Sequence, residues 1–185
     1  MKIGIIPARY ASTRFPGKPL TLFHNKPLLQ HVYERAKEAD LDDLFVATDD
    51  ERIMKTVEDF GGKAIMTHPL NASGTDRCAE AAQKLHLRDT DLIINIQGDE
   101  PFIQKEEINM LIHLFENPEI QIATIAKPTT ANKDMENPDK VKVVFSKSNK
   151  ALYFSRSPIP HSTHPQSHIH TGIYAFRNDI LQQRQ

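Results

Sequence analysis

The chain has 185 residues and a mass of 21.0 kDa, enough for one domain with a sizeable core and too little for two independent ones. Its 23 Lys and Arg against 24 Asp and Glu leave a formal charge of -1, which excludes a global pull towards nucleic acid or an anionic membrane surface. Any anionic partner has to be held locally. One cysteine, Cys78, can close no bridge within the chain and has no spaced Cys/His set around it, which argues against a disulfide scaffold and a structural zinc site and for a reducing cytoplasm. The start, with Ile3, Ile5 and Ile6 soon followed by charge, is too short an apolar stretch for a signal peptide or a membrane span.

Along the chain, short β-branched runs alternate with segments of helical period, the pattern of an α/β fold whose parallel sheet is covered by helices. Ile3 to Ile6 is the first predicted strand, and Leu28, Leu29, Val32, Ala36 and Ala39 form one helical stripe. The cycle repeats with a strand at Leu44 to Ala47, a helix carrying Ile53, Met54, Val57 and Phe60, and a strand at Lys63 to Met66. A third helix begins near Thr75 and turns Cys78, Ala81, Ala82 and Leu85 inward. Leu92 to Ile96 has the aliphatic density of a buried central strand, and Ile108, Leu111, Ile112 and Phe115 mark the helix after it. Beyond Asn117 the reading is of strands at Ile120 to Ala126, Val141 to Phe145, Ala151 to Phe154 and Gly172 to Phe176. The stretch Thr129 to Lys140 reads as polar connection, Ser155 to His170 as exposed loop, and a helix starts at Asp179.

Three loops could carry chemistry. Pro7 to Pro19 follows the first strand and places Arg9, Arg14 and Lys18 among small residues, where backbone N–H groups and cations can hold phosphates. It is neither a Walker A loop nor a dinucleotide fingerprint, and a solvated basic loop would look the same. Asp99 follows the central strand after Gln97-Gly98 and can coordinate a hard cation such as Mg²⁺, although such an aspartate also suits a plain turn. Asp50-Glu51 reads as a helix start, and Ser73-Gly74-Thr75-Asp76-Arg77 as either a capped helix N-terminus or a backbone cradle for a base edge or phosphate. His161, His164, His168 and His170 lack carboxylate or cysteine partners at helical spacing, so a polar loop is favoured over zinc; Cys78 reads as a small core residue.

Taken in order, IIPARYASTRFPGKPL from Ile5, VATDDERI from Val46, SGTDR from Ser73, INIQGDEPFI from Ile94, NPDKVKVV from Asn137, ALYFSRSPIP from Ala151 and GIYAFR from Gly172 resemble the 3-deoxy-manno-octulosonate cytidylyltransferases, or CMP-Kdo synthetases. The resemblance spans almost the whole chain. It implies a three-layer, Rossmann-like nucleotide-diphospho-sugar transferase fold with a mostly parallel mixed sheet. The chain is then a single domain, with residues 1–127 as the nucleotide part and 128–185 as the sugar and homodimer part. The implied reaction is cytidylyl transfer from CTP to Kdo, with CMP-Kdo and pyrophosphate as products, in the service of lipopolysaccharide synthesis.

Carried over by position, Pro7, Ala8, Arg9, Arg14 and Lys18 would hold the triphosphate, and Ser73, Gly74, Thr75 and Arg77 the nucleoside side. Arg9, Lys18 and Asp99 would be catalytic, with Asp99 on Mg²⁺, and Gln97, Arg156, His170 and Tyr174 would hold the sugar, Arg156 facing its carboxylate. No nucleic acid or membrane partner is implied. Thr171 stands where the family has Leu or Ile, the loop before His170 is short, and the family's C-terminal segment, with its second metal carboxylate, is expected to be missing. An inactive CTP-binding remnant and a cytidylyltransferase for another acid sugar, such as sialic acid, are the alternatives. Gly17-Lys18-Pro19 and Tyr153 to Arg156 favour Kdo.

Overall fold

The computed structural model describes residues 1–11, 15–160 and 167–183. Its elements are β1 (Lys2–Ala8), a 3-10 turn (Lys18–Leu20), β2 (Leu22–Phe23), β3 (Lys26–Pro27), α1 (Leu28–Ala36), β4 (Asp43–Thr48), α2 (Glu51–Asp59), β5 (Ala64–Met66) and α3 (Gly74–Lys84). They continue with β6 (Leu92–Asn95), α4 (Lys105–Leu114), β7 (Ile122–Thr129), α5 (Asn132–Glu136), β8 (Lys142–Phe145), β9 (Ala151–Ser155), β10 (Ser167–Arg177) and α6 (Asn178–Gln182). The chain divides into two compact units, one of Met1–Ala123 with Ile173–Gln185 and one of Thr124–Gly172.

In the first unit β5, β4, β1 and β6 run parallel in that order, with Ile3 to Ala8 registered on Asp43 to Thr48 and Lys2 to Ile5 on Leu92 to Asn95. The end of β10 closes the row antiparallel, pairing Tyr174 with Asn95 and Phe176 with Ile93. The sheet is therefore mixed and mostly parallel. Strand alternation sends Ile3, Ile5, Ala47 and Ile93 to one face, where they bury against Cys78, Ala81 and Ala82 of α3 and Leu181 of α6. Gly4, Ile6, Val46 and Ile94 point the other way, and α1 covers β4 there with α4 alongside it, burying Leu29, Val32, Ile108 and Leu111. Burial on both faces is why the strands of this half are continuous aliphatic runs.

Asp50 caps α2 by accepting from the Arg52 N–H at 2.9 Å, as the sequence predicts. Cys78 is fully buried and burial pushes its thiol pKa up, so the core reading stands.

In the second unit β8 pairs antiparallel with β9, Val143 opposite Phe154, and with the start of β10, His168 opposite Val143; β7 also pairs with β10. Here the sequence expectation is corrected. Residues 167–170 belong to a strand of eleven residues, because their backbone groups find partners on β8. His168 lies edge-on to Phe145 at 4.6 Å, and His170 is bonded to the Thr124 hydroxyl at 2.8 Å. His161 and His164 lie outside the described residues. The polar stretch after Thr129 also contains a short helix, α5.

Candidate active site

A cavity of about 300 Å³ opens where the carboxyl ends of β1 and β6 meet the N-terminus of α3. Parallel strands end here with their loops directed to one edge, where ligands of open α/β sheets bind. Pro7 and Ala8 come from the end of β1, Arg9 from the residue after it, Lys18 and Pro19 from the 3-10 turn, and Gln97, Gly98 and Asp99 from the loop after β6. Ser73, Gly74 and Arg77 complete the wall with Asn71 and Ala72. Gly98 is where the β6 loop can approach β1: a Cβ there would sit 3.1 Å from the Pro7 carbonyl oxygen, with no flexible side chain to yield.

The lining carries three cations, Arg9, Lys18 and Arg77, and one carboxylate, Asp99. Lys18 Nζ donates to Asp99 Oδ2 at 2.7 Å, with both side chains about half exposed. Such a pair is cheap to separate. Incoming phosphate can therefore compete for Lys18 and a cation for Asp99. Arg77 differs: it is 3% exposed, with Nη2 on Asp49 Oδ2 at 3.0 Å and Nη1 on Thr67 Oγ1 at 2.6 Å. Its charge is already spent on joining α3 to the end of β4, so it shapes the wall more than it offers a free cation.

At the N-terminus of α3, Ser73 Oγ accepts from the Asp76 N–H at 3.1 Å while Asp76 Oδ2 accepts from the Ser73 N–H at 2.9 Å. This capping box fixes the turn that places Ser73 and Gly74 on the cavity. The capped helix and the cradle are thus one structure. Thr75 does not line the cavity; its hydroxyl accepts from Asn95 Nδ2 at 3.4 Å. Arg14 lies outside the described residues.

The remaining sugar-side residues divide by unit. Gln97 lines the cavity, and Tyr174 of the first unit stacks on Phe176 with centroids 5.9 Å apart. In the second unit Arg156 Nη1 donates to the Pro138 carbonyl at 2.9 Å, and burial holds His170 below the usual histidine pKa. Asn71, Ala72 and Pro19 were not singled out from sequence, although Asn71 and Ala72 stand directly before Ser73. Asp49, which with Asp50 closes the strand ending at Thr48, is the partner of Arg77.

A family model for cytidylyltransferases matches residues 3–184. The chain belongs to the cytidylyltransferase family. It is 53% identical, over 97% of its length and 76% of the relative's, to a protein of Thermodesulfovibrio yellowstonii named 3-deoxy-manno-octulosonate cytidylyltransferase. It is 50% identical, over 96% of its length and 75% of the relative's, to a protein of a Shewanella species named 8-amino-3,8-dideoxy-manno-octulosonate cytidylyltransferase. A solved structure of CMP:2-keto-3-deoxy-manno-octonic acid synthetase complexed with CTP superposes with a TM-score of 0.91 at 43% identity, covering 99% of this chain and 76% of that one. The family membership makes the chain a nucleotidyltransferase, and the fold expected from the sequence is the one found. No helix among the described residues is long and apolar enough to cross a membrane.

Proposed function

We propose that the chain transfers the cytidylyl group of CTP to Kdo, releasing pyrophosphate. The sugar's anomeric hydroxyl oxygen forms a bond to the α-phosphorus as the bond from that phosphorus to the bridging oxygen of the β-phosphate breaks, and the hydroxyl proton is lost to solvent. The observation that carries this reading is the cavity that brings Arg9, Lys18 and Asp99 together at the strand ends. Phosphoryl transfer needs in-line placement and neutralisation of charge and no covalent nucleophile, and this lining supplies cations without an activated nucleophile.

Arg9 and Lys18 are proposed to hold the triphosphate, with Pro7 and Ala8 beneath it and Ser73 and Gly74 on the nucleoside side. The donor chemistry also fits Mg²⁺. Among the described residues no cluster of three or more His, Cys, Asp or Glu could enclose a metal, but this ion commonly takes one or two carboxylates together with substrate phosphates and water. Asp99 would hold it, and when bound it would supply positive charge against the triphosphate. In the second unit Arg156 is proposed to recognise the carboxylate of the sugar, the planar fork suiting a bidentate acceptor.

A second reading concerns the sugar. Because a relative at 50% identity is named for the 8-amino analogue, the two sugars should be compared directly. Pyrophosphate release measured with CTP and either sugar is expected to show the larger kcat/KM for Kdo. A preference for the amino sugar would move the substrate assignment while keeping the reaction. The reading also carries a cytoplasmic location and a homodimer, the latter checked by the mass of the purified chain in light scattering.

A further inference from the structure

The loop that delivers Arg9 and Lys18 to the cavity is held by a feature outside the cavity. Tyr10 follows Arg9, and its carbonyl accepts from the Gly17 N–H at 2.9 Å, which ties the two ends of the loop together one residue from each cation. Gly17 has φ 73°, and a Cβ there would lie 3.0 Å from the Tyr10 ring, so this side of the ring is closed by backbone that only glycine supplies without strain. Over the ring sits Arg52, its guanidinium carbon 3.4 Å from the centroid.

Arg52 is itself fixed. Its Nε and Nη2 donate to the two oxygens of Asp50 at 2.9 and 2.7 Å, and Asp50 also caps α2. The Lys18–Leu20 turn packs against α2 as well. A guanidinium can grip a carboxylate with its edge and an aromatic ring with its face at once, which an ammonium cannot. Arg52 is nevertheless 60% exposed, so burial does not explain its ordered placement.

The geometry points to Arg52 as a positioning residue that clasps Tyr10 to α2 and thereby holds the phosphate-binding loop in its working conformation. This rests on the reading of the cavity as the CTP site. The test combines steady-state pyrophosphate release with amide exchange in the ligand-free chain, on wild type, Arg52→Ala, Tyr10→Leu, Tyr10→Phe and the double variant Arg52→Ala with Tyr10→Leu.

Arg52→Ala and Tyr10→Leu are expected to raise KM for CTP roughly two- to fivefold, the fold-change that an exposed cation–π contact represents. The kcat and the KM for the sugar should stay at wild-type values. Tyr10→Phe keeps the ring and is expected to behave as wild type, while the double variant should be no worse than the poorer single. Exchange of the Gly17 N–H should accelerate by a similar factor in the same variants and not in Tyr10→Phe. That readout needs no turnover: a wild type inert towards CTP that shows this exchange pattern would overturn the functional reading and support the clasp. Exchange and KM unchanged in Arg52→Ala, or effects that add in the double variant, would overturn the clasp.

Discussion

Asp99 and Lys18 share one ion pair at the mouth of the cavity, and their proposed roles predict different kinetic signatures. Asp99→Asn keeps the shape and removes the charge that would hold Mg²⁺. Turnover is expected to fall about a hundredfold or more, the scale of losing one electrostatic stabiliser, with the melting temperature nearly unchanged because the side chain is half exposed. Wild-type turnover in this variant would remove Asp99 from the mechanism. Lys18→Ala should raise KM for CTP much more than KM for the sugar, and an effect confined to the sugar would contradict its placement on the triphosphate. Arg77 belongs to a different class. Its replacement by methionine leaves the Asp49 carboxylate without its ion-pair partner, while the Thr67 hydroxyl keeps its bond to the Thr48 carbonyl, and is expected to lower stability by about 3 kcal/mol in a denaturant titration. At this scale the sequence was informative about which residues gather and silent about which are already engaged. Arg9, Lys18, Ser73 and Asp99 stand at strand ends or a helix start, so local pattern finds them; the Arg77–Asp49 pair joins residues 28 apart, and no local pattern marks it.

Among the elements, α3 does most to hold the wall of the cavity that carries Ser73 and Gly74. Besides its capping box it carries Glu80, whose carboxylate accepts from the His68 N–H at 2.8 Å and from Asn71 Nδ2 at 2.6 Å and pairs with Lys84 at 2.9 Å. The loop that lines the cavity through Asn71 is thus pinned to the helix. Burial opposes the charge of Glu80, but the bonds from Lys84, Asn71 and His68 outweigh it and hold the carboxyl pKa down to about 2. A carboxyl depressed in the folded state stabilises the fold above the unfolded value of about 4.3, and that contribution is lost as pH falls towards the folded value. Stability should therefore decline with acidification across that window, and Glu80→Gln should flatten the decline. A variant with the same acid profile as wild type would show that Glu80 contributes nothing to it.

Elements varied in how clearly the sequence announced them. β1, β4 and β6 are aliphatic runs buried on both faces and were legible at once. The hairpin of β2 and β3 was not, because its turn is His24-Asn25, both with positive φ, in place of the usual glycine-containing pair. The start of β10 was hidden for a related reason: Ser167, His168 and His170 are not among the β-branched and aromatic residues that mark strands, and pairing with β8 decides their conformation.

For the whole molecule, the balance of charge and the arrangement of charge make separate points. A chain with a formal charge of -1 has no general affinity for polyanions, yet the cavity at its strand ends is lined by three cations and one carboxylate. The cations are gathered by loops at the ends of parallel strands, where folding brings Arg9, Lys18 and Asp99 to line one cavity. Fold class and family were legible because several of the ordered motifs coincide with those loops. The sugar was less so, since relatives of nearly equal identity are named for Kdo and for its 8-amino analogue.

The central claim is tested most directly by Mg²⁺-dependent pyrophosphate release from CTP, with the folded chain, in the presence and absence of Kdo. Release that requires both the metal and the sugar is the predicted result. Release that proceeds at the same rate without Kdo, or none with Kdo or its 8-amino analogue, would contradict it.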